Sequence, residues 1–197
     1  MLNYGAAAQT YFGYKPYALM NADLTEEQKA LVKTYSASLL EDIQVATSDK
    51  KVIFTGNTGF SKRTPNISFE GAFCVNFHLT ASMAVQGDVT FYVWSEEDYA
   101  KAAYLTTANA TRKTTMTLGE DGMYHGSVTG IAAKELDQTV YAVAAYVGTD
   151  GCVYYSGIMA YSIGSYCESQ ANYPTALQPL AKATAVYGYY AKQFFNA

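Results

Sequence analysis

Charge is scarce in this chain, and so are cysteine, histidine and tryptophan. Of 197 residues only 15% are Asp, Glu, Lys or Arg, thirteen basic against seventeen acidic, for a formal net charge of −4. Basic side chains gather in nothing larger than pairs such as Lys62-Arg63 and Arg112-Lys113. Binding to a phosphate backbone draws on a concentrated basic face that releases counterions, so nucleic acid is not an expected partner. The longest mostly apolar stretch, around Val140–Val147, falls far short of the roughly 18 residues that span a bilayer. No membrane insertion by this segment is expected. Met1-Leu2-Asn3-Tyr4 has neither a charged leader region nor a cleavage site and reads as the inside of a helix, which is the pattern of a piece of a longer protein.

Three cysteines, an odd number without C-x-x-C spacing, argue against a disulfide framework. A single bridge between Cys74 and Cys152 stays open if their strands adjoin; otherwise Cys74, Cys152 and Cys167 are small buried hydrophobes. The two histidines, His78 on the minor face of a strand and His125 in a turn, stand at no ligand spacing from each other or from Cys or carboxylates, so zinc is not expected. Calcium needs a D-x-D-x-D-G run, and none is present. Gly56-Asn57-Thr58-Gly59 lacks the Lys and the following helix of a phosphate loop. There is no G-x-S-x-G, and no Cys has a His partner in the sequence pattern. Glu96, Glu97 and Asp98 suit the first turn of a short helix. The expectation is therefore no catalytic residue, no cofactor-binding residue and no metal ligand: not an enzyme.

What the chain does have is a hydrophobic half and nineteen tyrosines. Low charge with much Tyr, Thr, Ser and Gly is a habit of extracellular β-modules, in which Tyr supplies contact area at low entropic cost. Tyr is also an ordinary resident of a half-buried strand.

The two ends echo one another. Tyr4-Gly5-Ala6-Ala7-Ala8-Gln9-Thr10-Tyr11-Phe12 and Tyr187-Gly188-Tyr189-Tyr190-Ala191-Lys192-Gln193-Phe194-Phe195 share Tyr, Gly, Ala and the final Phe, each 183 places apart. Self-similarity at a fixed, domain-sized offset predicts tandem modules, with neighbouring modules of the same chain as partners. Both runs place apolar residues at i, i+4, i+7 and i+8 (Tyr187, Ala191, Phe194 and Phe195 in the second), one stripe of a helix. Gly5 and Gly188 sit mid-helix, where Gly costs roughly 1 kcal/mol against Ala, and imply close approach of another backbone.

Thr25-Glu26-Glu27-Gln28 reads as a capping box opening a helix with Leu31, Tyr35, Leu39 and Ile43 on one face. From Lys51 to Ile163 the period becomes two. Strands are expected at Val52–Thr55, Ile67–Thr80 (with a bulge at Gly71), Asp88–Trp94, Thr111–Leu118, Gly122–Thr129, Thr139–Gly148 and Cys152–Tyr161, and Asp150-Gly151 signals a two-residue hairpin. Glu96–Leu105 reads as a short helix, and Gly164–Ala171 and Thr175–Phe195 as two more. Seven strands without β-α-β alternation predict a mixed α+β chain: an immunoglobulin- or fibronectin-III-like antiparallel β-sandwich, with flanking helices that dock together or on it. Leu136-Asp137-Gln138-Thr139-Val140-Tyr141 resembles the tyrosine corner of such domains, with the Leu-to-Tyr spacing one residue short. The organisation is a helical segment at 1–48, the sandwich at 49–163 and a second helical segment at 164–197. Candidate contact residues are Tyr92 and Trp94 on an exposed strand face, and Tyr187, Tyr189 and Tyr190 on the last helix; Trp94 has a competing place in the core.

Leu2-Asn3-Tyr4-Gly5-Ala6-Ala7-Ala8-Gln9-x-Tyr11-Phe12 resembles a helical tag that recurs in large multi-module surface proteins of anaerobic gut Clostridia, Lachnospiraceae and Ruminococcaceae among them. The strand pair Val140–Tyr161, with Val153-Tyr154-Tyr155-Ser156-Gly157-Ile158 leading into the helix entry Tyr161-Ser162-Ile163, is similar to a strand pair of the same modules. The second copy departs from the tag at Tyr189 and Tyr190, which replace Ala. The resemblance implies a repeated, secreted or cell-wall-associated module of a gut commensal. Some members resemble immunoglobulin-binding B-cell superantigens, so the implied partner is a host protein such as an immunoglobulin. A carbohydrate-binding accessory module and a structural spacer are the competing expectations.

Overall fold

The computed structural model describes Tyr4 and residues 57–69, 72–172 and 175–195. The helices expected at Tyr4–Phe12 and after Thr25, and the strand expected at Val52–Thr55, lie outside the described residues except for Tyr4. The chain is mixed α+β, with two largely antiparallel sheets and a few helices, and it divides into two compact units. One contains the β-structure through Ile131 and again over Gln138–Ile163. The other contains Ala132–Asp137 and the helices from Gly164 onward.

The β unit has eleven short strands among the described residues: β1 Asn57–Thr58, β2 Phe60–Lys62, β3 Asn66–Ser68, β4 Phe73–Ala81, β5 Val85–Trp94, β6 Arg112–Thr115, β7 Thr117–Leu118, β8 Tyr124–Ile131, β9 Val140–Gly148, β10 Val153–Tyr155 and β11 Met159–Tyr161. The first sheet has the order β1-β10-β9-β5-β6, with β11 also paired to β9. The second has the order β2-β4-β8-β7, with β3 also paired to β4. Every pairing is antiparallel except β1 with β10, which is parallel.

Alternation explains how the sheets meet. Val75, Phe77 and Leu79 of β4 are fully buried, as is Phe91 of β5, while Asn76 and His78 point to the other side. Phe77 and Phe91 come from different sheets and touch, with ring centroids 5.7 Å apart. Side chains of this size contribute about 1.5–3 kcal/mol each when fully buried. Strand β9 reads as a nearly continuous apolar run because it is central and covered on both faces, with only Val147 exposed.

Two strands leave one sheet for the other. Residues 57–58 pair with β10, then Gly59 turns and Phe60–Lys62 pair with β4. Likewise Arg112–Thr115 pair with β5, and after Met116, Thr117–Leu118 pair with β8. A strand that changes sheets through a bend makes a corner. Both lateral edges are thereby tied across the two layers, which limits unpaired strand edge.

The single strand expected at Ile67–Thr80 is two strands, β3 and β4, paired antiparallel; the bulge expected at Gly71 lies outside the described residues. Ile67 pairs with Val75 and Ser68 with Cys74, and Phe69 meets Phe73 edge-on. Alternation alone does not separate the two strands, because Phe69 and Phe73 keep the parity. The expected two-residue hairpin at Asp150-Gly151 is a three-residue one. Gly148 N–H bonds the Cys152 carbonyl, and Gly151 takes the left-handed φ of +77° that this loop requires.

The helical unit comprises a 3-10 turn at Ala133–Glu135, α2 (Ile163–Ala171) and α3 (Gln178–Phe195), to which Tyr4 adds one ring. Helix α1 (Glu96–Lys101) belongs to the β unit. In α3 the buried stripe is Leu180, Thr184, Gly188 and Ala191 with Ala181 and Ala185. Gly188 is the close approach that its mid-helix position implies: a Cβ there would lie 3.1 Å from Leu136 Cβ and 3.3 Å from the Ala133 carbonyl oxygen. Lys192 donates to Asp137 at 2.5 Å across the same contact. The expected stripe through Phe194 and Phe195 is not buried: both rings are exposed. No helix of the described residues is long and apolar enough to cross a membrane.

Cys74, Cys152 and Cys167 are free thiols. Cys74 and Cys167 are buried, and burial pushes the Cys167 thiol up to about 12. Cys152 departs from the buried expectation and is exposed beside the Asp150 carboxylate, which raises its pKa.

Candidate functional site

Three places can be weighed as sites: the outer face of each sheet and the end of α3. On the first sheet, Tyr92 and Trp94 stand on the outer face, opposite Val143 and Tyr141 of β9. That face is covered. After β5 the chain turns through α1 and a loop to Ala110 and lays Tyr99, Ala102, Leu105 and Ala110 over it. Tyr99 stacks on Tyr141 with centroids 3.6 Å apart and planes within 6°. Trp94 is fully buried and donates its indole N–H to Asn109 Oδ1 at 3.0 Å. Tyr92 is 9% exposed, with Lys113 Nζ 5.7 Å from its ring centre.

Local chemistry builds this cover. Ser95 caps α1 by accepting from Asp98 N–H at 3.1 Å, and the Asp98 carboxylate in turn accepts from Ser95 and Thr111 hydroxyls. Those bonds, that from Thr111 largest, hold the Asp98 carboxyl below the usual range. Asn109 ties the loop by accepting from Thr106 N–H at 2.9 Å and donating to the Tyr104 carbonyl at 2.8 Å. Neither Tyr92 nor Trp94 presents a ring face to solvent in this arrangement.

The outer face of the second sheet is polar. Asn76 donates to Asn66 Oδ1 at 3.0 Å and to Ser68 Oγ at 2.8 Å, and accepts from Ser127 at 2.8 Å. Beside them the ladder sets His78 opposite His125. Their Nδ1 atoms are 2.7 Å apart, and Asp121 Oδ1 lies 2.9 Å from His125 Nε2. His78 Nε2 is buried without a hydrogen-bond partner. Burial first, then the neighbouring His125, holds the His78 pKa below the ordinary value, with Asp121 opposing. The sequence expectation that neither histidine pairs with another His or a carboxylate is thus corrected. The residues are 47 apart along the chain, and only strand register brings them together.

The Asp comes from a turn used twice. Gly119-Glu120-Asp121-Gly122 and Gly148-Thr149-Asp150-Gly151 each close through a Gly N–H to the carbonyl three residues back, with the second Gly at φ +74° and +77°. In each, Asp Oδ1 accepts the N–H two residues on (Met123 or Cys152), and the carboxylate holds a ring four residues on, His125 or Tyr154. Both carboxyls are held below the usual range, chiefly by those ring partners.

In the helical unit, Tyr187 is half-buried and stacks on Tyr4 at 5.6 Å, so the first residues of the two echoing segments meet. Tyr189 and Tyr190 are exposed, and so are Phe194 (76%) and Phe195 (64%). The rings of Tyr189 and Tyr190 contact edge-on, as do those of Phe194 and Phe195. Lys134 Nζ lies 6.0 Å from the Phe195 ring. An exposed aromatic set of this size on one helix end is the kind of surface that marks interactions. The groove beside it, along Gly188 and Lys192, encloses about 50 Å³, too little for a ligand that needs roughly 300 Å³. Sequence reading set Phe194 and Phe195 on the apolar stripe of a helix offered as a contact candidate over Tyr187–Phe195; the structure exposes both rings.

Among the described residues no three His, Cys, Asp or Glu side chains gather as a metal site. Comparison with protein-family models, curated proteins and solved structures finds no match to this chain.

Proposed function

We propose that the chain is a non-catalytic binding module of a secreted or surface-anchored bacterial protein, one unit of a tandem array. In this reading it captures a host protein, an immunoglobulin first, through the aromatic end of α3. The observation that carries the proposal is the exposure of Tyr189, Tyr190, Phe194 and Phe195 together on one helix end. Aromatics are the side chains that dominate interface hot spots. The tag resemblance supports the surface-protein class, and the echo between Tyr4–Phe12 and Tyr187–Phe195 supports tandem repetition.

The immunoglobulin-like reading of the β unit is part of the proposal. Its support is the strand order: β2-β4-β8-β7 follows the A-B-E-D order of that fold, and β5-β9-β10 the C-F-G order. A glycan platform built on Trp94 loses its basis, because the indole is inside. The test is biolayer interferometry of the immobilised chain against polyclonal IgA, IgG and IgM. Saturable capture of at least one is expected; capture of none removes the immunoglobulin reading and favours the spacer.

A further inference from the structure

The histidine pair on the second sheet has a geometry beyond strand pairing. The two Nδ1 atoms converge to 2.7 Å from rings whose planes are 75° apart. Two nitrogens bound to one metal at about 2.0–2.1 Å stand about 2.9 Å apart at a right angle and about 3.3 Å apart at a tetrahedral one. The observed 2.7 Å is a hydrogen-bond separation, shorter than both values, so the rings open by about 0.2 Å to reach the right-angle geometry. Asp121 occupies the place of an outer-shell carboxylate. Accepting from His125 Nε2–H, it fixes the tautomer that leaves Nδ1 with its lone pair free toward His78. The β4–β8 ladder holds both imidazoles at paired positions, so little ordering is left to be done on binding. The His125 side chain is about one-third exposed, which leaves room for water at the remaining coordination positions.

We propose that His78 and His125 form a two-nitrogen site for a transition-metal ion with a square-planar preference, Cu(II) before Zn(II). On binding, the metal displaces the proton shared by the two Nδ1 atoms and, at about 2.0–2.1 Å from each, lies to one side of the line between them. That proton moves to His78 Nε2, both imidazoles stay neutral, and no electron is transferred. Asp121 remains outside the coordination sphere and positions His125.

The test is titration of Cu(II), supplied as its glycine complex, into the full chain carrying Cys152→Ser, since the exposed Cys152 thiol would otherwise reduce the metal. One equivalent is expected to bind, with a tetragonal EPR spectrum split by two imidazole nitrogens. His78→Gln and His125→Gln should each weaken uptake at least tenfold, and Asp121→Asn by about 10–100-fold. Circular-dichroism melting establishes first that each variant is folded. A second measurement needs no variant at the pair: with only two histidines in the chain, both imidazole Hε1 resonances should broaden at substoichiometric Cu(II). Equal uptake in the His78→Gln/His125→Gln double variant, or histidine resonances that stay sharp as Cu(II) binds, overturns the proposal.

Discussion

Gly59 has no room for a side chain. At the corner where the chain leaves one sheet for the other, a Cβ would lie 2.4 Å from Tyr154 Cβ, an atom anchored to its own backbone. The Gly59 carbonyl also accepts from Ser82 N–H at 2.9 Å and Tyr146 hydroxyl at 3.1 Å, so the corner cannot drift without losing both. Gly59→Ala is expected to cost about 1–3 kcal/mol, the range of overpacking. It should appear as a lower urea midpoint at unchanged slope; an unchanged midpoint would show that the corner yields. His78 supplies a pH dependence. Its folded pKa lies below the ordinary value, while in the unfolded chain it takes up a proton near about 6.5. The stability it contributes is therefore complete above that pH and is lost as pH falls toward the lower folded value. Urea midpoints should drop between pH 7.5 and 5.5, and drop less in His78→Gln. An identical drop in both would assign the dependence to other groups.

At the scale of elements, the insertion between β5 and β6 decides what the first sheet offers. Alternation in Asp88–Trp94 places Tyr92 and Trp94 on one face correctly, but period-two patterning is silent on whether that face is open. The residues that close it, Tyr99, Leu105 and Ala110, lie in a short helix and an irregular loop, where no periodicity points to burial. Similarly, the apolar stripe of α3 is legible as a helix, while the face it buries is set by Gly188 against Leu136, a tertiary contact. Because Trp94 is the lone tryptophan, it reports on this cover directly. Tyr99→Ala removes the ring stacked on Tyr141 and should destabilise by about 3–5 kcal/mol, the cost of truncating a buried aromatic. Native Trp94 fluorescence should be blue-shifted and protected from acrylamide, and Tyr99→Ala should shift it red and expose it. An unchanged spectrum in the variant would mean that the cover does not depend on Tyr99.

For the whole molecule, most strands were readable because a two-layered β unit enforces alternation, and the switch to period 3.6 marked the helices. The pairing of His78 with His125 and the division of 67–80 into two paired strands were not readable, since register is settled by long-range contacts. The binding surface follows the same division. The aromatic helix Tyr187–Phe195 was visible as a candidate contact surface, whereas which of its rings are exposed required the fold. Tyr189, Tyr190, Phe194 and Phe195 are exposed, and surface substitutions of this kind usually stay within about 0.5 kcal/mol of neutral. The most direct measurement is interferometry of immunoglobulin capture by the wild-type chain and by Tyr190→Ser/Phe194→Ser/Phe195→Ser, with melting temperatures taken in parallel. The account predicts capture by the wild type and at least a tenfold loss in the variant at an unchanged melting temperature. Capture of equal strength by the variant would contradict the assignment of this helix end as the contact surface.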